Sequence, residues 1–295
     1  MIIKNCFLRI LLLALILILI PACEDDNPTS YNTYEYSIPE QTTDGLTVGS
    51  ATDAGLNSEM LIDMMNYVNN MDNHNIHNIL IFKDNLLVFE EYFAGYLYSP
   101  YPPGSNGDWI FYDKEVDHFL ASISKSITSV IFGAAVKDGY IDNIDAKIVD
   151  IFPEYNDILT GDKANITIKH LLTMSSGLAW DESSYSYDDP RNNVAGLFNA
   201  EDPIAYTLSL ELLYSPGTEF LYNSGGTNVL GAIIQKYTEM RMIDYGSECL
   251  FDPLNVEGGI WTRLGEDYCF ASGGFYFRPR ELAKIGYLFM NDGYW

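Results

Sequence analysis

The chain has 295 residues, with 41 Asp and Glu against 16 Lys and Arg and a formal net charge of −25. Its 47% apolar and 14% aromatic content excludes a disordered chain and is enough to build a sizeable core. The acidic balance argues against a nucleic-acid partner, because a polyanion gains nothing from an acidic surface. No GxxxxGK[ST], GxGxxG or HExxH occurs. With four His, and two Cys beyond the N-terminal region, neither a metal site nor a cofactor is expected.

Residues 1–22 read as an export signal. Lys4 and Arg9 flank its start, and Ile10 to Ile20 is an unbroken apolar run of 11 residues. That run is shorter than the ~18–20 residues of a membrane-spanning helix and suits a signal h-region. Ile20-Pro21-Ala22-Cys23 follows and resembles the lipobox of bacterial lipoproteins. Cys23 is therefore the expected lipid attachment point, holding an extracytoplasmic chain on a bacterial membrane in the cell envelope. The alternative is an ordinary cleaved signal with a Cys beside it. Residues 23–54 are polar with little periodicity and read as a flexible tether. Cys249 and Cys269 are the remaining thiols; an exported chain permits a bridge between them, and two free buried thiols fit equally well.

A domain is expected over 55–295. Gly55–Met71 has apolar residues at helical spacing and opens it with a helix. Asn78–Phe82 and Leu86–Phe89, on either side of Lys83-Asp84-Asn85, predict a β-hairpin. Residues 96–117, rich in Tyr, Pro and Gly, read as a long loop. From Phe119 the pattern is helical, with Ile123, Ile127, Val130, Ile131 and Ala134 on one face, and it stops at Asp138-Gly139. The stretch from about 140 to 255 reads as a helical subdomain, with helices over 166–174, 202–213 and 229–240. A strand over 269–277 and a helix after Arg278-Pro279-Arg280 complete the reading. Strands at both ends and a helical middle predict an α/β (α+β) fold: an antiparallel sheet flanked by helices, with a large mostly helical insertion.

The chemistry-bearing pattern is Ser122-Ile123-Ser124-Lys125, an S-x-x-K opening a helix. No G-x-S-x-G elbow competes with it. At i and i+3 the hydroxyl and the amine lie on one helical face, so a neutral Lys125 can take the proton from Ser122 as its oxygen attacks a carbonyl. The helix start also aims a backbone N–H and the helix dipole at developing negative charge. An S-x-x-K arises about once by chance in a chain of this length, so it needs a partner to carry weight. Residues 216–231 (PGTEFLYNSGGTNVLG) supply one, placing Tyr222 on a turn before a helix, where it can relay a proton to a leaving group. Tyr67-Val68-Asn69 also fits Y-x-N, but it sits within a helix with no flanking turn.

Together with FLASISKSITSVIFGAAVKDG (119–139), ITIKHLLTMSSGL (166–178), PGTEFLYNSGGTNVLGAII (216–234), SGGFYFRPRELAKIGYLFMNDG (272–293) and the hairpin, the chain resembles the serine β-lactamase-like superfamily. The resemblance is to the class C β-lactamase-related branch of penicillin-binding proteins and esterases. It implies the β-lactamase/transpeptidase-like fold, Ser122 as acylated nucleophile, Lys125 as its base and Tyr222 as the Tyr of Y-x-N. The third position of that motif is Ser224, expected to bind substrate. Ser lacks the paired donor and acceptor of an amide, which favours esterase or peptidase chemistry over a β-lactamase. The family's third motif, K-T-G or H-x-G, does not occur, and the chain is read as ending before the strand that carries it. The implied function is hydrolysis of an ester, amide or β-lactam bond in a small-molecule or peptide substrate. The alternative is a non-catalytic surface lipoprotein that keeps the fold and binds peptidoglycan-like or peptide ligands. Oligomeric state is not legible. His118 and His170 are read as structural, Trp180, Asp181 and Glu182 as following a solvated loop with a rim of the site as the alternative, and Arg278 and Arg280 as partners of acidic neighbours.

Overall fold

The computed structural model describes residues 34–98, 106–257 and 259–295. The export signal and Cys23 lie outside these residues, and no helix among them is long and apolar enough to cross a membrane. The chain divides into two units. Among the described residues, the smaller contains 34–36 and 59–70, and the larger 37–58 and those from 71 onward.

In the smaller unit helix α1 (Ser58–Asn69) has Leu61, Met65 and Val68 buried at the i, i+4, i+7 spacing of one helical face. The backbone N–H of Tyr34 donates to Asn66 Oδ1 at 3.0 Å.

The larger unit begins with the hairpin of β1 (Asn78–Lys83) and β2 (Leu86–Tyr92). Asp84 and Asn85 both take positive φ, 51° and 65°, as a tight hairpin turn requires and as these residue types tolerate best. β3 (Ala94–Tyr98) and β4 (Asn106–Phe111) then pair antiparallel. These strands correct the expected long loop over 96–117. Tyr96, Leu97, Tyr98, Trp109 and Phe111 are all exposed, so apolar type does not follow burial here and the apolar-in, polar-out alternation that marks a half-buried strand is missing from the sequence.

β5 (His118–Phe119) leads into α2 (Ile123–Lys137), whose Ile127, Ile131, Phe132 and Ala135 enter the core. The middle of the chain holds α3 (Ile148–Ile151), α4 (Ile168–Leu172), α5 (Asn193–Asn199), α6 (Pro203–Ser209), α7 (Ser224–Thr238) and α8 (Met242–Gly246). β6 (Ile260–Trp261), β7 (Arg263–Leu264), β8 (Tyr268–Cys269) and β9 (Phe275–Phe277) follow, and then α9 (Pro279–Met290). β9 is the middle strand of a three-stranded antiparallel sheet, between β5 and β6. The fold is thus a mixed one of helices and small antiparallel sheets.

One core cluster joins α2, α4, α6, α7, β9 and α9. α7 is buried over every residue from Ser224 to Ile234, which makes it the axis of the unit. Its closest approach is at Gly225, where a Cβ would stand 2.4 Å from the Trp180 ring.

The expected tether is corrected over its second half. Leu46, Ala51 and Ala54 are buried, and residues 47–49 are tied to β2 by Gly49 N–H donating to Leu87 O and Leu87 N–H donating to Thr47 O. Arg280 on α9, 5% exposed, reaches the Glu40 carbonyl, the Thr42 hydroxyl and the carboxylates of Asp44 and Glu90. Apolar residues too sparse to show a period are held here by a distant ion cluster. Arg278 pairs with Glu115. Cys249 and Cys269 are both free, and burial pushes the Cys269 thiol up to about 12.

Candidate active site

The site starts where β5 hands over to α2. Leu120 N–H donates to Phe275 O on β9 at 2.9 Å, fixing the approach of the chain. Ala121 then takes φ +44°, a left-handed conformation that costs a residue with a Cβ of order 1 kcal/mol. Ser122 occupies the N-cap of α2, yet its side chain caps nothing. A serine here would ordinarily spend its oxygen on a backbone N–H of the first turn. Instead Ser122 Oγ accepts from Lys125 Nζ at 3.0 Å and from Tyr222 Oη at 2.8 Å. Its backbone N–H donates to none of the described residues.

Lys125 is held by more than its helix. Nζ also donates to Ser272 O at 2.8 Å and stands 4.9 Å from the centre of the Tyr222 ring. The strap around Ser272 is stitched to both long helices. Thr128 Oγ1 donates to Ala271 O, Phe275 N–H donates to Ser124 Oγ, and Asn228 on α7 brackets Ser272 with Nδ2 to its Oγ and Oδ1 to its N–H. Ser272 and Asn228 are buried positioning groups that the sequence reading does not single out; no short motif contains both, since they stand 44 residues apart.

Tyr222 is placed by the 166–178 segment. Thr167 and His170 form a reciprocal capping box at the start of α4. Beyond it, Ser175 O and Met174 O accept from the N–H groups of Gly217 and Leu221. The turn before α7 is therefore pinned at two points, and Asn223 closes it by capping α7 through Gly226 N–H at 2.8 Å. His118 is also engaged in packing, with Nδ1 on Val116 O and its ring beside Tyr112. Burial holds its imidazole below the usual range, against the opposing pull of the Val116 carbonyl.

These groups open on a cleft of about 270 Å³. Ser122, Lys125, Ser224 and Ser272 line one side, and Tyr98, Phe119, Tyr187, Phe198, Phe270 and Tyr276 give it aromatic walls. The buried Ser224 begins α7 at the cleft. Its backbone N–H donates to Glu182 Oε2 at 3.2 Å, and Trp180 Nε1 donates to the same oxygen at 2.5 Å. Of the two readings of 180–182, the solvated loop is corrected and the rim of the site is what the structure has. Trp180 is 4% exposed, against Gly225, and Glu182 lines the cleft. The signal was available in Gly225, since only a side-chain-free helix start leaves room for a ring. Asp181 turns away and accepts from the N–H groups of Ser183 and Ser184.

A helix-start serine bonded to a lysine one turn on and to a tyrosine from a facing turn is the apparatus of serine acyl-transfer enzymes. Residues 115–267 match the family model described as Beta-lactamase, and the chain belongs to that family of serine hydrolases. It is 27% identical over 188 residues to the 6-aminohexanoate-dimer hydrolase of Paenarthrobacter ureafaciens, covering 60% of this chain and 46% of that one. Among solved structures, a Bacillus anthracis protein provisionally assigned as a 6-aminohexanoate-dimer hydrolase superposes with a TM-score of 0.61 at 20% identity, covering 89% of this chain and 64% of that one. The esterase-named hydrolase EstCE1, with promiscuous acyltransferase activity, superposes with a TM-score of 0.57 at 14% identity, covering 74% and 68%. The chain thus spans about half to two thirds of these relatives' lengths, and the structural likenesses speak to fold.

Proposed function

We propose that this chain is an exported, lipid-anchored serine hydrolase that forms an acyl-enzyme on Ser122 and acts on ester or amide bonds ahead of β-lactams. One observation carries the reading: Ser122 Oγ, released from capping its own helix, takes hydrogen bonds from both Lys125 Nζ and Tyr222 Oη. The leader pattern before Cys23 supports the anchor, and Ser224 in the third position of Y-x-N supports ester or amide substrates.

In the first half-reaction the Lys125 amine, already hydrogen-bonded to Ser122 Oγ, takes the hydroxyl proton as Ser122 Oγ bonds to the substrate carbonyl carbon. The carbonyl oxygen becomes an oxyanion facing the unoccupied Ser122 N–H, where such a donor contributes on the order of 10²–10³ in rate. Tyr222 passes a proton to the leaving oxygen or nitrogen as its bond to carbon breaks, and Lys125 returns the proton to Tyr222. In the second half-reaction water attacks the acyl carbon, losing its proton to the same pair, and the Ser122–acyl bond breaks to restore the hydroxyl.

The test is intact-mass spectrometry after incubation with a fluorophosphonate and, separately, a penicillin. A mass adduct that disappears in Ser122→Ala is expected with the fluorophosphonate. A folded protein that acquires no adduct from either reagent would overturn the hydrolase reading in favour of a binding lipoprotein.

A further inference from the structure

The cleft holds a second charged group that the acyl-transfer steps do not use. Of its described lining residues, only Lys125 and Glu182 have side chains of a charge-bearing type. Lys125 is engaged by Ser122 Oγ and Ser272 O. Glu182 is half-satisfied: both of its side-chain hydrogen bonds, from Trp180 Nε1 and Ser224 N–H, end on Oε2. Among the described residues Oε1 accepts nothing and no Lys, Arg or His pairs with the carboxylate.

A ligand that enters strips water from this carboxylate, and its chemistry decides the outcome. A neutral ligand leaves Oε1 desolvated without a partner, and a carboxylate adds repulsion. A cation does neither. It pairs with Oε1, and aromatic side chains line the same cleft, Tyr187 and Phe198 among them, whose rings attract positive charge. The net charge of −25 acts in the same direction at long range, drawing cations and repelling anions.

We propose that Glu182 is a specificity-determining residue that receives a positively charged nitrogen, a primary or quaternary ammonium, on the substrate. This rests on the acyl-transfer reading above and deepens it: the preferred substrates are ammonium-bearing esters or amides, and carboxylate-bearing ones such as penicillins are disfavoured. The rival role for Glu182 is purely structural, bracing Trp180 against the start of α7, and Glu182→Gln separates the two. The amide oxygen can still accept from Trp180 and Ser224, but the charge is gone.

Two measurements decide it. The first is kcat/KM for two p-nitrophenyl esters of equal length, one ending in trimethylammonium and the other in tert-butyl. The wild type is expected to prefer the cationic ester on the order of tenfold, and Glu182→Gln to abolish most of that ratio while Glu182→Asp retains it. A ratio near one in the wild type, or a ratio that Glu182→Gln leaves intact while both rates fall, overturns the proposal. The second is calorimetry on the full chain with choline and with its neutral isostere, in which carbon replaces nitrogen. Choline is expected to bind on the order of tenfold more tightly, in Ser122→Ala as in wild type. Equal affinity overturns the assignment. Because binding requires no turnover, it judges Glu182 even where the Ser122-dependent rate on the neutral ester is absent, an outcome that would instead count against the hydrolase reading.

Discussion

Arg280, buried, and Glu182, half-buried, are both acid–base side chains of the larger unit, and their surroundings are built differently. Arg280 has a carboxylate at 2.5 Å, a second at 3.1 Å, a hydroxyl and a carbonyl, so its charge is neutralised in place. Glu90 raises its pKa further, against the opposing effect of burial. Glu182 has two neutral donors on one oxygen and no cation. The first arrangement is scaffolding: it ties residues 40–44 and β2 to α9 and leaves nothing for a ligand. The second leaves one carboxylate oxygen unanswered in the lining of the cleft that holds Ser122.

The largest effect belongs to the cleft. Ser122→Ala is expected to lower Ser122-dependent ester hydrolysis on the order of 10⁴–10⁶-fold while leaving thermal stability within about 0.5 kcal/mol, because the hydroxyl caps nothing. A variant that melted much earlier would mean the serine is structural. Tyr222→Phe removes the hydroxyl that donates to Ser122 Oγ and that relays the proton in the proposed reaction, and a loss of roughly 10²–10⁴ in kcat is expected, read in steady-state kinetics with an activated and an unactivated leaving group. The activated ester should suffer less.

The scaffold side is read by denaturation. Arg280→Ala leaves Glu90 buried without its partner, and a loss of about 3–5 kcal/mol in urea unfolding is expected. A cost below ~1 kcal/mol would show that the cluster does not hold residues 40–44 in place. Gly225→Ala joins the two regions, since its methyl would press on the Trp180 ring that orients Glu182. A destabilisation of roughly 1–3 kcal/mol is expected, with a larger fractional loss on cationic than on neutral esters.

The smallest effect is on pH. His118 is lowered by burial, and His77 by burial and by the neighbouring His118. A histidine lowered in the folded state binds fewer protons there than when unfolded, so its contribution is complete above the ordinary value of 6.5 and is lost as pH falls through the folded value. Melting temperature should therefore fall as pH drops below about 6.5, and the slope should flatten in His118→Asn. An unchanged slope would remove His118 from the account.

Much of the site was legible because its members are close in sequence or sit in recognisable phrases. Ser122 and Lys125 are one helical turn apart, and Tyr222 lies within a turn-to-helix phrase. The β1–β2 hairpin was readable from Asp84-Asn85 between two apolar runs, and the course of α2 and α9 from apolar spacing and from the Pro and Gly at their ends. What stayed hidden depends on residues that meet only after folding. Glu182 receives Ser224 N–H across 42 residues, Asn228 brackets Ser272 across 44, and Arg280 reaches Glu40 across 240.

The sequence by itself determined the acidic character, the helix that presents Ser122 beside Lys125, and the turn that carries Tyr222, because i, i+3 geometry and turn chemistry are local properties of the chain. Tertiary structure alone decided that Ser122 is free of capping duty, that residues 37–54 dock against the body, and that a lone carboxylate faces an aromatic cleft. Those outcomes depend on which distant groups satisfy one another's hydrogen bonds and charges, and no window of sequence contains both partners.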